Sequence, residues 1–154
     1  MRMRNRMELL PVDSRERQLL ADNLLRSLLH GRLPADDQEK LSAADFTSGR
    51  FCVLDIDGSA VGTVSLRPLP ELPGVWEIRS LAVSKSWQRA GLAQFMFDKV
   101  VAAARAQGAR RLRALIHSGL PEAAAFFAHN EFRPEKPLPE DVEPEGLYTV
   151  VRAL

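Results

Sequence analysis

Between residues 81 and 93 the chain reads Leu81-Ala82-Val83-Ser84-Lys85-Ser86-Trp87-Gln88-Arg89-Ala90-Gly91-Leu92-Ala93. An apolar run typical of a strand leads into a short polar loop, and the loop opens a helix that begins with small residues. The first backbone N–H groups of a helix have no partners inside it, and the macrodipole adds about half a positive charge there. Such an end binds phosphate when no side chain obstructs it. Gly91 and Ala93 remove that obstruction, so the segment indicates an anion site.

Two widespread phosphate-binding motifs do not fit this segment. It lacks the Gly-Lys-Ser/Thr ending of a P-loop, and it lacks three glycines at the spacing of a dinucleotide fingerprint. An alternative without any ligand also stays open, because Gly91 could simply ease the entry of the chain into the helix.

The segments on either side of this loop alternate between strand and helix patterns. Upstream, Val75–Val83 has the composition of a strand. Downstream, the patterns predict a helix at Gly91–Gln107 and a strand at Arg111–His117. A second helix follows at Pro121–Asn130, and a return strand begins at Phe132. The proline-rich stretch Pro134–Gly146 is predicted to be irregular, and Leu147–Val151 is predicted to be the last strand.

The N-terminal part of the chain predicts a strand followed by two helices. Met7–Val12 is the strand candidate. The first helix begins after Asp13 or Ser14 and ends near His30, and the second spans Pro34–Phe46.

A β-hairpin is predicted next. Arg50–Ile56 and Ala60–Arg67 are rich in β-forming residues, and Asp57-Gly58 lies between them. Both turn residues tolerate a positive φ, as the tight turns of hairpins require.

The order of these elements predicts one α/β (α+β) domain over residues 1–154. A mixed, mostly antiparallel central sheet of six to seven strands, with helices on both faces, accommodates that order. A chain of 154 residues has the size of about one domain. Its 45% hydrophobic and 27% charged residues are ordinary for a globular protein.

Charge and cysteine content exclude several classes of partner. The 21 Lys and Arg residues balance 20 Asp and Glu residues to a net charge of +1, which offers no long-range attraction to nucleic acid or to anionic lipid. No apolar stretch approaches the roughly 18 residues of a membrane span. Neither nucleic acid nor a membrane is therefore expected as a partner, and Arg2, Arg4 and Arg6 read as the polar face of a strand.

Cys52 is the only cysteine, which excludes an internal disulfide and fits the reducing cytoplasm.

Residues 88–93 resemble the signature Gln/Arg-x-x-Gly-x-Gly/Ala of the GNAT N-acetyltransferase superfamily, since they read Gln88-Arg89-Ala90-Gly91-Leu92-Ala93. As in that family, they stand between a strand ending in Leu-Ala-Val and a long helix. The segment Phe126–Phe132 is similar to the family's aromatic-rich helix and return strand. The resemblance covers about Phe51–Arg133 and reaches the N-terminal helices only through the order of the elements.

This resemblance implies that the chain binds acetyl-CoA as a co-substrate, in a cleft where two parallel strands splay apart. No metal is implied. The family pattern assigns the pyrophosphate to the backbone N–H groups of six residues, Gln88, Arg89, Ala90, Gly91, Leu92 and Ala93. It pairs the pantetheine arm with the backbone of Leu81, Ala82 and Val83. The N–H near Val83 would also face the thioester oxygen, where a donor stabilises the developing oxyanion.

The resemblance further suggests catalytic residues, with two departures from the family pattern. Glu77 stands where many members carry a general base, and the alternative is an exposed glutamate paired with Arg79 or with a neighbouring strand. Phe127 stands where members carry a tyrosine that protonates the leaving thiolate, and Ser118 where they carry an asparagine; both are expected at the cofactor site. His117 at the end of its strand is the candidate proton donor, and the alternative is a surface or hydrogen-bonding histidine.

The expected function is acetyl-CoA-dependent N-acetyl transfer to a primary amine of a small molecule or amino acid, by direct attack in a ternary complex. Two alternatives stay open: acetylation of proteins or peptides, and a non-catalytic acetyl-CoA-binding sensor. The loop Pro134–Gly146 carries five acidic residues and one lysine, a net charge of −4. Family members often use this loop as a wall of the acceptor site, so a cationic acceptor is one hypothesis and a merely solvated loop is the other. The oligomeric state stays open, with a homodimer as one candidate.

Overall fold

The computed structural model describes residues 6–42, 50–136 and 138–154. Within these residues the helices are α1 (Arg15–Leu29), α2 (Ala35–Ser42), α3 (Leu92–Ala106) and α4 (Pro121–His129). The strands are β1 (Met7–Pro11), β2 (Arg50–Ile56), β3 (Ser59–Pro68), β4 (Val75–Val83), β5 (Arg111–His117), β6 (Arg133–Pro134) and β7 (Leu147–Ala153).

The strands form one sheet in the order β1-β2-β3-β4-β5-β7-β6. Neighbouring strands are antiparallel except β4 and β5, which are parallel. This confirms the expected mixed, mostly antiparallel sheet. Because β4 and β5 run in the same direction, their carboxyl ends and the loops that follow them meet at the same edge of the sheet.

Helices cover both faces of the sheet, and each face has its own apolar core. On one face, Ala21 and Leu25 of α1 pack with Phe51 and Val53 of β2. On the other face, α3 packs through Phe97, which is 1% exposed, onto the central strands. Alternate residues of a strand point to opposite faces, so the central strands contribute to both sides.

The helices begin and turn largely as their sequence signals indicate. Ser14 is the cap of α1, because its side chain accepts a 3.2 Å hydrogen bond from the N–H of Arg17. The buried face of α1 is centred on Ala21, Leu25 and Leu29. Leu20, next to Ala21 in the sequence, is 46% exposed and lies outside this buried face. In the part of the chain that the structure describes, no helix combines the length and the apolar character needed to cross a bilayer.

The predicted hairpin between β2 and β3 is present. Asp57 has a φ of +53° and Gly58 a φ of +90°, which is the pair of positive values that a tight hairpin turn requires. The carboxylate of Asp55 accepts a 2.8 Å hydrogen bond from the N–H of Gly58 and closes the turn.

The remaining differences from expectation lie at element boundaries. A 3₁₀ turn at Lys85–Trp87, which was not predicted, occupies the loop between β4 and α3. The return strand β6 has only two residues, and β7 runs two residues further than expected. Residues 43–46 of the expected second helix, together with Arg2 and Arg4, lie outside the described residues.

Candidate active site

Strand β4 is interrupted by a bulge at Ser80. Thr63 of β3 pairs with Ala82 and Ser65 pairs with Arg79, so β4 has one more residue than β3 between these two pairs. Ser80 adopts a φ of +56°. Its carbonyl accepts a 2.7 Å hydrogen bond from the hydroxyl of Thr63, a residue with no exposed surface. The bulge redirects β4 at this point.

The parallel strands β4 and β5 separate next to the bulge. Their pairing begins with Val75 opposite Arg111 and ends with Ile78 opposite Ala114. Further along, β5 pairs with β7 and β4 pairs with β3. The splayed parallel pair that the resemblance implied is therefore present. At Leu81–Val83, no strand of the described part of the chain pairs with β4 on its β5 side. The backbone groups of these three residues on that side can therefore bind an extended ligand.

A cavity of about 580 Å³ extends from this opening to the start of α3. Three sets of residues line it, namely Leu28, Leu29 and Arg32 around the end of α1, then Leu81, Ala82, Val83, Gln88, Arg89 and Ala93, and finally Leu120, Glu122, Ala123, Phe126 and Phe127. A smaller cavity of about 90 Å³ shares Leu81, Ala82 and Phe127 with it and reaches Ile78 and Leu115 between the splayed strands. The expected pantetheine and pyrophosphate segments thus border one continuous cleft.

The loop between β4 and α3 leaves the start of the helix open. The first intrahelical bond joins the N–H of Phe95 to the carbonyl of Gly91 at 3.0 Å. The N–H groups of Leu92, Ala93 and Gln94 therefore have no carbonyl of their own helix to bind. Gly91 caps α3 with a φ of +77°, and a Cβ placed there would have no heavy atom within 4 Å. The positive φ explains why a glycine occupies position 91, and the space beside Gly91 is open to a ligand.

Gln88 has a structural task that the motif alone did not reveal. Its side-chain Nε2 donates a 3.0 Å hydrogen bond to the carbonyl of Val83, which ties the loop to the end of β4. Arg89, with a φ of +67°, then turns the chain towards the helix. Among the six signature residues, Gln88, Arg89 and Ala93 line the larger cavity, whereas the side chain of Leu92 is buried in the core.

Glu77 is held between two arginines. Its Oε1 accepts hydrogen bonds from Nε of Arg67 at 3.2 Å and lies 3.1 Å from Nε of Arg79. The Glu77 side chain is 14% exposed, and neither described cavity includes it. Among the described residues, no donor binds Oε2. The pairing that sequence analysis gave as the alternative to catalysis is present, while one oxygen stays available, so the role of base stays a prediction.

His117 is buried at the end of β5, and both of its ring nitrogens are engaged. Nε2 lies 2.8 Å from Oδ2 of Asp37 on α2, and Nδ1 accepts the N–H of Gly119 at 2.8 Å. A ring nitrogen that accepts an N–H carries no proton, so these bonds assign the neutral tautomer with its proton on Nε2. His117 and Asp37 are not part of a metal-ligating cluster, since no group of three or more such side chains occurs in the described ranges. The structure brings His117 to α2, and not to the lining of the two cavities.

Phe127 and Ser118, both expected at the cofactor site, are placed differently. Phe127 lines both cavities and packs edge-on against Phe126 and Phe132, with ring centroids 5.5 and 5.0 Å away. Ser118 exchanges two hydrogen bonds with Gly146: its Oγ accepts the Gly146 N–H at 2.8 Å, and its own N–H donates to the Gly146 carbonyl at 3.0 Å. Only Phe127 borders the cleft.

The acidic loop before β7 carries its charge on the surface. The exposed side chains are Glu135, Glu140, Asp141, Glu143 and Glu145. Glu135 is partly neutralised by Arg113, whose Nη2 donates to its Oε2 at 2.9 Å. Burial raises the pKa of Tyr148, and the negative charge of Glu143 raises that pKa further. The loop borders its own cavity of about 470 Å³, beside Lys136 and Leu147.

An ion pair bridges the two walls of the cleft, and the sequence analysis missed it. Nη1 of Arg32, in the turn after α1, lies 2.5 Å from Oε1 of Glu122 in the first turn of α4. This hydrogen bond raises the pKa of Arg32 and lowers the pKa of Glu122. The two side chains are 37% and 58% exposed, so the pair adds little to stability. Because the partners are far apart in sequence, no local pattern could have paired them.

Comparison of the sequence with protein families and curated proteins gave one match. The model of the Acetyltransferase (GNAT) family matches residues 18–132. No curated protein matches the sequence. The matched range contains the β4–α3 loop, the splayed strands and α4.

Solved structures share the whole architecture at low sequence identity. A GNAT-family acetyltransferase from Staphylococcus aureus Mu50 is 17% identical, with a TM-score of 0.77 over 96% of this chain and 99% of that chain. An acetyltransferase from Thermus thermophilus is 23% identical, with a TM-score of 0.71 over 96% and 97%. A GNAT-family acetyltransferase from Elizabethkingia anophelis, solved with acetyl-CoA bound, is 16% identical, with a TM-score of 0.69 over 99% and 100%. At these identities the likeness shows the fold alone.

Proposed function

The chain belongs to the acetyltransferase (GNAT) family, and we propose that it is an acetyl-CoA-dependent N-acetyltransferase. In this proposal the acetyl group moves to a primary amine of a small molecule or an amino acid, by direct attack of the amine on the thioester in a ternary complex. We place the reaction in the cytoplasm, because a single cysteine leaves no second thiol for an internal disulfide.

One observation carries the proposal: a single cleft joins the unpaired edge of β4 to the open start of α3. The edge is formed by Leu81–Val83, and Gln88 and Arg89 lead into the helix. A pantetheine arm can bind such an edge as an added strand would, and a diphosphate can bind the N–H groups at the helix start. The backbone from Gln88 to Ala93 would hold the diphosphate. The neighbour from E. anophelis, which binds acetyl-CoA, supports this reading.

We assign the oxyanion donor to the backbone of β4 near Val83. When an amine attacks a thioester, negative charge develops on the carbonyl oxygen, and a fixed N–H aimed at that oxygen stabilises it by about 3–4 kcal/mol. The hydrogen bonds from Gln88 to Val83 and from Thr63 to Ser80 hold this part of β4 in place.

We assign to Glu77 the role of the base that removes the proton of the acceptor amine. A protonated amine has no lone pair for attack, so a base must take the proton. Arg67 and Arg79 both bind Oε1 of Glu77, which leaves Oε2 for the proton, directly or through one water. Glu77 points to the sheet face opposite Ile78, which packs in the α3 core. The base and the diphosphate site thus lie on different sides of the opening.

No side chain is assigned to protonate the leaving thiolate. Phe127, at the position of the family's tyrosine, has no hydroxyl, and the single N–H of His117 is bound by Asp37. A CoA thiol has a pKa roughly like that of free cysteine, about 8.5, so it leaves tolerably as the thiolate.

Two of these observations also favour a second function, an acetyl-CoA-binding sensor without turnover. The charge of Glu77 is offset by two arginines, and Phe127 cannot donate a proton. Acetylation of proteins or peptides differs from the main proposal only in the size of the acceptor.

Acetyl-CoA titration followed by an acceptor screen tests the proposal. Binding is measured by calorimetry, and thiol release from acetyl-CoA is then followed with free amino acids, polyamines, aminoglycosides and peptides. We expect binding, together with thiol release stimulated by at least one small amine. Binding without release for any acceptor would support the sensor, release with peptides alone would support protein acetylation, and the absence of binding would refute the assignment of the cleft.

A further inference from the structure

We propose that Asp37 and His117 form a docking pair that holds α2 over the acceptor side of the cleft, so that His117 is a positioning residue for the acceptor amine. The reference to an acceptor rests on the proposed N-acetyltransferase function, whereas the docking itself is a property of the fold. This role replaces the proton donation expected of His117.

The hydrogen bonds of the imidazole exclude donation into the cleft in this arrangement. A neutral imidazole has one N–H, and here it lies on Nε2, 2.8 Å from Oδ2 of Asp37. The other nitrogen accepts the N–H of Gly119. Protonating a thiolate would require His117 to give up Asp37, so the structure commits the ring to linking β5 with α2.

Because His117 is buried, it depends on its hydrogen bond with Asp37. Thr63 and His117 are the two polar side chains that are buried within the described residues. A buried polar group is costly to leave unpaired, so His117 retains its position only while Asp37 remains beside it. Asp37 is itself 24% exposed, so the carboxylate lies at the surface end of the pair and the imidazole at the buried end.

The turn that follows His117 fastens neighbouring segments as well. A Cβ at Gly119 would lie 2.8 Å from Cδ2 of Leu33 and 3.1 Å from Nδ1 of His117, so the turn packs closely against the connection between α1 and α2. Ser118 in the same turn binds Gly146 before β7. The carboxyl end of β5 thus determines where α2 lies.

We place the acceptor amine on the face of the sheet that α2 covers. Helix α2 contacts β4, and its Asp37 binds His117. Ile116 is buried in the α3 core, so its neighbour His117 points to the opposite face of the sheet. The start of α3, where we place the diphosphate, contributes to the other side. Displacement of α2 should therefore weaken acceptor binding and spare cofactor binding.

The test compares variants that remove the docking bond with variants that keep it. His117→Ala and Asp37→Ala remove it. In His117→Gln the amide N–H can still reach Asp37, and in Asp37→Asn the amide oxygen can still accept from Nε2. We expect each alanine variant to raise the acceptor KM about tenfold or more, at an acetyl-CoA affinity within about twofold of wild type. His117→Gln and Asp37→Asn should restore most of the acceptor KM, and the double alanine variant should be no worse than either single one.

Amide hydrogen exchange of α2 supplies a readout that does not depend on turnover. Exchange in Ala35–Ser42 should be faster in both alanine variants than in wild type, and His117→Gln should return it towards the wild-type rate. Loss of turnover in His117→Gln as complete as in His117→Ala, at an unchanged acceptor KM, would make His117 the proton donor and overturn the proposal. Unchanged α2 exchange in both alanine variants, or an equal loss of acetyl-CoA affinity, would overturn it as well.

Failure of the proposed function would look different. If wild type binds acetyl-CoA but acetylates no amine, the enzymatic assignment fails, and the exchange comparison still decides whether Asp37 and His117 dock α2. If His117→Ala does not fold, Asp37→Ala alone carries the test, because Asp37 lies at the surface of the pair.

Discussion

The hydroxyl of Thr63 donates a 2.7 Å hydrogen bond to the carbonyl of Ser80, from β3 to the bulge of β4. Ser80 has a φ of +56°, a conformation that costs a residue with a side chain about 1–2 kcal/mol. The bond helps to hold that conformation at the point where β4 separates from β5. A side chain outside the cavity lining thus supports the shape of the cleft.

Replacing this hydroxyl should disturb both stability and cofactor binding. Thr63→Val keeps the shape and removes the hydrogen bond, so we expect the free energy of unfolding to fall by about 1–3 kcal/mol, with weaker acetyl-CoA binding. Thr63→Ser keeps the hydroxyl and is the matched control. Urea denaturation and calorimetry measure the two effects. If Thr63→Val binds acetyl-CoA as tightly as Thr63→Ser does, the bulge does not need this bond.

Charge and bulk at Gly91 should block the diphosphate. Gly91→Glu adds a carboxylate at the open start of α3, and acetyl-CoA affinity should fall at least about tenfold, or roughly 1.4 kcal/mol. Gly108→Glu is the control for backbone strain. Gly108 lies beyond the other end of α3, has a φ of +82° and has similarly open space beside it. Circular dichroism checks the fold of both variants. Equal affinities of the two variants would mean that strain, and not the loss of an anion site, explains the effect.

Removal of the Glu77 carboxylate should eliminate most of the turnover and spare cofactor binding. Glu77→Gln can still accept hydrogen bonds from Arg67 and Arg79 but cannot take a proton, so thiol release should fall by about 10²-fold or more at an unchanged acetyl-CoA affinity. The matched control is Glu135→Gln, since Glu135 also pairs with an arginine. Wild-type kinetics in Glu77→Gln would leave the carboxylate with a purely structural role.

A hydroxyl at position 127 should be tolerated. Phe127 borders both cavities, so the hydroxyl in Phe127→Tyr can point into the cleft, and thiol release should equal or exceed that of wild type. Phe132 is 4% exposed and packs in the core. Phe132→Tyr should therefore lower the free energy of unfolding by about 1–3 kcal/mol, because its hydroxyl finds no water. A loss of turnover in Phe127→Tyr without a loss of stability would show that the cleft has no room there.

The acidic loop should influence the acceptor only if the acceptor is a cation. In that case the acceptor KM should rise with ionic strength, since exposed charges are screened beyond about 8–10 Å near physiological salt. The triple change Glu140→Gln, Asp141→Asn and Glu143→Gln should then raise the acceptor KM and leave acetyl-CoA binding unchanged. A control with the same change in net charge is Asp13→Asn, Glu16→Gln and Glu71→Gln. An unchanged KM in the loop variant, or a best acceptor that is anionic, would leave the loop as a solvated segment.

Local signals in the sequence were sufficient to locate the helices and strands. The bounds of β2, β4 and β5 agree with the sequence prediction, because alternating or continuous apolar runs ended at turn residues. In the loop from Gln88 to Ala93, the small residues Gly91 and Ala93 indicated an open helix start, and the resemblance to the GNAT signature implied acetyl-CoA as its ligand. The strand order could be narrowed but not settled in the same way, because pairing joins segments that are distant in sequence.

By itself the sequence determined the helices and strands, the hairpin at Asp57-Gly58 and the open start of α3, since each depends on the conformational preferences of adjacent residues. Only the tertiary structure decided the partners of the candidate catalytic side chains: two arginines for Glu77 and Asp37 for His117. Those contacts depend on how β3, β4, β5 and α2 pack in three dimensions. The charge or hydrophobicity of one residue does not identify the distant residue that it will contact. Periodicity and spacing could therefore single out Glu77 and His117 as candidates but could not predict their partners.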